Sequence, residues 1–229
     1  MTNDAAETLK EVRKNADRLT VYLPKRVQAT AFTGKSKLPF KAAAIRELLL
    51  HRTATLASAA VDLYEGNRVI PAVILTRSIV ETLALLFNFH ERLEHFLKGE
   101  VKDSDALDDS FMCCLVGSRN NPEGPKAVNV LTLIDRVEKT VPDFRFVYDA
   151  LSECAHPNWA GTFGAFGHGH DGNHSETTEL ELGPREQMEA YSPGLSALSS
   201  SLMSFEHYYN DSGKLVRQLN EYFDRDAAH

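Results

Sequence analysis

The run from Val69 to Phe89 is the most apolar in the chain, yet Arg77 and Glu81 stand at its centre. Each charge would cost roughly 3 kcal/mol at a helix midpoint in lipid. The run therefore reads as the buried helix of a water-soluble bundle, and no membrane partner is expected. A helix that is apolar nearly all round needs neighbours on every side, so the rest of the chain must supply them.

It does so with further helices. Ala5 to Leu23 places Leu9, Val12, Ala16, Leu19 and Leu23 at helical spacing before Pro24, and Lys25 to Lys37 reads as a loop. Pro39 suits a first helical turn, Lys41 to Glu65 continues as a long helix, and Gly66 ends it. After a turn at Asn67 the second long helix runs from Val69 to Leu97, with Gly99 as its stop. Two long helices joined by so few residues must lie antiparallel.

Beyond this hairpin an acidic patch from Asp103 to Asp109 opens a shorter helix through Leu115, and Gly117 to Pro125 is turn-rich. Val128 to Lys139 and Asp143 to Ala155 read as helices separated at Pro142. Pro157 to His174 is rich in glycine and histidine and reads as loop, while Thr177 to Leu182 alternates as a short strand would. From Arg185 the pattern is helical again, with breaks expected at Pro193-Gly194 and Ser212-Gly213 and a buried face of Leu195, Leu198, Leu202 and Phe205.

The expected fold class is all-α: a helical bundle built on a long antiparallel helix hairpin, with a Gly/His-rich loop and at most a short strand or hairpin. Residues 1–37 form an N-terminal arm of helix and loop, and 38–229 a single helical-bundle domain.

A formal charge of −7 argues against an open grip on a phosphate backbone, which needs clustered Lys and Arg. Cys113, Cys114 and Cys154 are too few for a disulfide framework and lack C-x-x-C spacing, so they read as reduced, buried thiols of a cytoplasmic protein. The charged start Met1-Thr2-Asn3-Asp4 lacks the apolar run of an export signal.

Two polar stripes are the candidate site. On the Val69–Leu97 helix, Glu81, Ala84, Asn88, Arg92 and His95 fall within about 60° of Arg77. Arg77 and Glu81, at i and i+4, can pair, and charges so deep in apolar sequence need a partner or a polar cleft. They form either a structural pair or the lining of a site. On the helix ending at His156, Arg145, Asp149, Ser152 and His156 share a face within about 40°, flanked by Tyr148 and Glu153. A histidine at a helix C-terminus is favoured as a cation and suits acid or base chemistry near neutral pH. It is equally a helix stop before Pro157. The adjoining Asn158 and Trp159, the only tryptophan, strengthen the reading as a site.

Other motifs carry less. Gly167-His-Gly169-His-Asp-Gly172 spells a dinucleotide fingerprint but follows no strand and opens no helix, and Gly34-Lys35-Ser36 lacks the first glycine of a phosphate loop, Ala29 standing there. His168, His170, Asp171 and His174 have metal-ligand residue types, but a glycine-rich loop does not by itself fix ligands at bonding distance. No cofactor or metal is expected.

Arg77-Ser-Ile-Val-Glu81 and Leu151-Ser152-Glu-Cys-Ala-His156-Pro157-Asn158 resemble the R-x-x-x-E and L-S-x-x-x-H-P-N signatures of an uncharacterised bacterial all-helical family similar to the HEPN superfamily, over about Lys41 to Asn158. The resemblance implies a homodimer that acts on or binds RNA or a nucleotide. Its active members are metal-independent endoribonucleases, often of defence or toxin type, using an arginine and a histidine on one helix. Here the positions five to seven before His156 hold Leu151, Ala150 and Asp149, so the arginine's role is not carried over.

Three functions follow. The leading expectation is a non-catalytic interaction or ligand-binding module, with a protein partner or small ligand on the stripes. The second is a metal-independent endoribonuclease or nucleotide-binding protein, with His156, Arg77, Glu81 and Ser152 catalytic and Arg145, Asp149, Tyr148, Asn88, Asn158 and Trp159 in binding. The third is a metal-dependent hydrolase using His156 with the histidine-rich loop.

Overall fold

A computed structural model describes residues 3–32, 36–121, 123–169, 178–180 and 187–226. The chain begins with α1 (Asn3–Val21), passes a single 3-10 turn at Ala29–Ala31, and enters the hairpin of α2 (Leu38–Glu65) and α3 (Val69–Leu97). Then follow α4 (Ser104–Val116), α5 (Val130–Glu138), α6 (Phe144–Ala155), the single turn α7 (Phe163–Phe166), strands β1 (Gly167–Gly169) and β2 (Thr178–Leu180), and the long α8 (Gln187–Asp226). It is an all-α helical bundle with one small antiparallel hairpin, in which Gly167 faces Leu180.

Local chemistry sets most boundaries. Pro39 lies in the first turn of α2. The left-handed residue closing the α2–α3 turn is Asn67 (φ 52°) rather than Gly66; Arg68 N–H reaches back to the Leu63 carbonyl at 2.8 Å, the return bond of a Schellman motif. Gly99 (φ 73°) does the same work after α3. Asp103 caps α4 by accepting from the backbone N–H groups of Asp105 and Ala106, and Asn129 caps α5 by accepting from Leu131.

α3 is the axis of the molecule and touches α2, α5, α6 and α8. Val69, Ile79, Leu86 and Leu93 are fully enclosed, and α8 lays Leu195, Leu198, Leu202 and Phe205 against them, as the spacing anticipated. α3 has the length and apolarity of a membrane span, but 61% of its most apolar window is buried within the protein. α1 packs on α2 and α8 through Leu9, Val12, Ala16 and Leu19, and Arg13 pairs with Asp62 and Glu65 of α2.

Three expectations need correction. α8 runs unbroken through Pro193-Gly194 and Ser212-Gly213. The proline loses one backbone hydrogen bond and the glycines lower helix propensity by about 1 kcal/mol each, but the packing face continues on both sides and outweighs these local costs. Part of the expected loop after Pro157 folds as α7 and β1. The three cysteines are free thiols but only partly buried.

Candidate functional site

The two stripes meet through a residue flanking one of them. Tyr148, buried on α6, places its hydroxyl between Arg77 and Glu81 of α3: Arg77 Nη2 donates to it at 2.9 Å, and it donates to Glu81 Oε1 at 3.2 Å. Arg77 and Glu81 also pair directly at 3.3 Å, with about a quarter of each side chain exposed (26% and 25%). The guanidinium lies 5.2 Å from the Tyr148 ring centroid. These contacts lock α6 to α3. Arg77 Nε remains buried without a hydrogen-bond partner.

The other predicted residues do not join this cluster. Ser152 Oγ donates to the Tyr148 carbonyl at 2.8 Å, an internal bond of its own helix. His156 caps the end of α6, is exposed, and makes no side-chain hydrogen bond to a described residue. It stands two turns, about 12 Å along the axis, from Tyr148. No described hydrogen bond or ion pair links it to Arg77, Glu81 or Tyr148.

Arg145 is held by Asp149 at 2.9 Å and by Asp135 at 2.6 Å, all on the surface. Asn88 is buried and accepts from Arg136 of α5. Asn158 donates to Glu153 and accepts from Gly161 N–H, shaping the turn after α6. His168 lies in β1, while His170, Asp171 and His174 fall outside the described residues. Among the described residues no group of three His, Cys, Asp or Glu side chains could hold a metal.

A concavity among the described residues lies on the opposite flank of α6. α6 and α8 both rest on α3 but scarcely touch each other, leaving a groove of about 730 Å³ between them. Val73, Val80 and Leu83 of α3 form its floor; Phe144, Val147, Leu151 and Cys154 of α6 form one wall. The α8 wall is built from small residues, Ala190, Gly194, Ala197 and serines 196, 200, 201 and 204. Helical periodicity explains the separation: about Tyr148 as centre, Phe144 and Leu151 turn one way, Arg145, Ser152 and His156 the other. Of the predicted residues only Trp159 borders the groove. Burial pushes the Cys154 thiol above its ordinary value.

Comparison with known proteins yields no matching family model, no curated protein and no solved structure. The site is therefore read from its own geometry.

Sequence reasoning missed the groove, although one signal was present: small residues recur every three or four positions along α8 from Ala190 to Ser204. It also missed a half-buried polar knot between α2 and α8. The Arg46 guanidinium lies 3.6 Å from the Tyr209 ring centroid, Arg46 Nε donates to the Tyr209 carbonyl at 3.0 Å, and Tyr209 Oη donates to Glu47 at 2.7 Å. Gly213 makes room for it, since a Cβ there would stand 3.1 Å from Arg46 Nη2. Burial, followed by the Glu47 hydrogen bond, raises the Tyr209 pKa.

Proposed function

We propose that the chain is a non-catalytic ligand-binding module whose site is the apolar groove between α6 and α8. The observation that carries this reading is the groove itself: about 730 Å³, walled mainly by apolar side chains with a few hydroxyls, which lies in the range of small-molecule sites. Phe146 and Trp159 stand at its rim with 73% and 72% of their surface exposed, apolar area that a ligand would cover. In the HEPN-like reading this makes the chain a binding member rather than a ribonuclease. Binding is favoured over catalysis because Arg77 Nη2, Glu81 Oε1 and the Tyr148 hydroxyl are engaged with one another and His156 stands apart.

The test uses Trp159 as reporter. N-phenyl-1-naphthylamine, an uncharged aromatic probe, should bind saturably, quench the tryptophan and slow alkylation of Cys154 while leaving Cys113 unaffected. Ala197→Phe, which fills the groove from α8, should weaken this binding at least about tenfold, the scale of losing a well-filled apolar contact. Probe binding that is unsaturable, or indifferent to Ala197→Phe, would show that the groove is not a site.

A further inference from the structure

The lining of the groove also bears on the charge of its occupant. Among the described residues that line it there is no lysine, arginine or histidine, and the one charged side chain is Asp143, at the end where α6 begins. The Asp143 carboxylate makes no hydrogen bond or ion pair with a described residue. A helix start ordinarily attracts anions through its free N–H groups, but here Glu138 already supplies the anion: it accepts from the backbone N–H groups of Asp143 at 3.3 Å and Arg145 at 2.7 Å. Arg145 is in turn committed to Asp149 and Asp135, and the neighbouring Lys139 is exposed and outside the lining. Among the described residues no cation pairs with Asp143, so this end of the groove presents negative charge where Phe144 and Phe146 also line it.

We infer that the ligand is an amphiphilic organic cation, its apolar body in the groove and its amine or quaternary ammonium at Asp143. The inference rests on the groove being a ligand site and adds the charge of what fills it. Phe144 and Phe146 offer faces that a positive head can approach. On the α8 wall Ser201, only 5% exposed, has no hydrogen-bond partner among the described residues and borders the groove, so a polar atom on the body could engage it. A fatty carboxylate would meet Asp143 with no cation among the described lining residues to answer it.

Displacement of N-phenyl-1-naphthylamine by three ten-carbon competitors tests the assignment: decyltrimethylammonium, decanol and decanoate, each below its micelle concentration. The cation should compete about three- to fivefold better than the alcohol, the scale of a partly exposed ion pair, and decanoate should be the weakest. Asp143→Asn should erase the preference of cation over alcohol, with competition measured against the variant's own affinity for the uncharged probe. Equal competition by all three, or a preference that survives Asp143→Asn, overturns the charge assignment while leaving the groove a site. If the probe itself does not bind, both readings fail.

Discussion

Replacing Tyr148 by phenylalanine removes one oxygen and keeps the buried ring. That oxygen accepts from Arg77 at 2.9 Å and donates to Glu81 at 3.2 Å. Hydrogen bonds to charged groups contribute roughly 1.5–3 kcal/mol each when enclosed, but a quarter of each partner side chain is exposed (26% and 25%), so water and the remaining Arg77–Glu81 contact recover part of the loss. The expected cost is about 1–2 kcal/mol, or about 3–6 °C in Tm for a chain of this size. Urea unfolding at neutral pH should show a lower midpoint with the slope unchanged. A double-mutant cycle with Arg77→Met should give a coupling above about 0.5 kcal/mol, as expected for residues in one network. A loss below about 0.5 kcal/mol together with additive single effects would refute the claim that this triad fastens α6 to α3.

Gly194→Val should destabilise the protein by about 2–3 kcal/mol through overpacking, because even a Cβ at that position would lie 2.4 Å from Tyr64 Oη and 2.9 Å from Val73 Cγ2; thermal melts should rank wild type above Gly194→Ala and Gly194→Val lowest. Burial lowers the His90 pKa, the nearby Glu94 and Asp211 opposing it more weakly. The unfolded imidazole, with a pKa near about 6.5, therefore binds its proton first as the pH falls. The stability tied to neutral His90 is complete above about pH 6.5 and declines below it toward the lower folded value, and His90→Gln should flatten that decline in urea titrations between about pH 7 and 5. His156→Ala should change stability by less than about 0.5 kcal/mol, as exposed substitutions do, and purified wild type and variant should leave RNA equally intact. An RNA-degrading rate that disappears with His156 would favour the ribonuclease reading instead.

The sequence by itself determined the helices and most of their ends, because those depend on neighbours a few residues away. Pro39, Asn67, Gly99, Asp103 and Asn129 act through their own backbone or that of the adjacent turn, and the near-continuous apolarity of α3 required a central position. What it could not decide was which faces would meet. Arg77 and Glu81 were legible as a pair, but their third partner, Tyr148, reads as an ordinary aromatic until α6 is laid against α3. Ser152 and His156 share a helical face, yet that face turns away from the concavity, since packing rotates α6 about Tyr148. Pro193-Gly194 reads as a break because local propensity says so, and the structure keeps the helix because burial along α3 contributes more than those residues cost. The groove is the clearest case: it exists because α6 and α8 rest apart on one support and the small side chains of α8 leave the space between them unfilled, a relation between segments of which the sequence shows only the small-residue spacing.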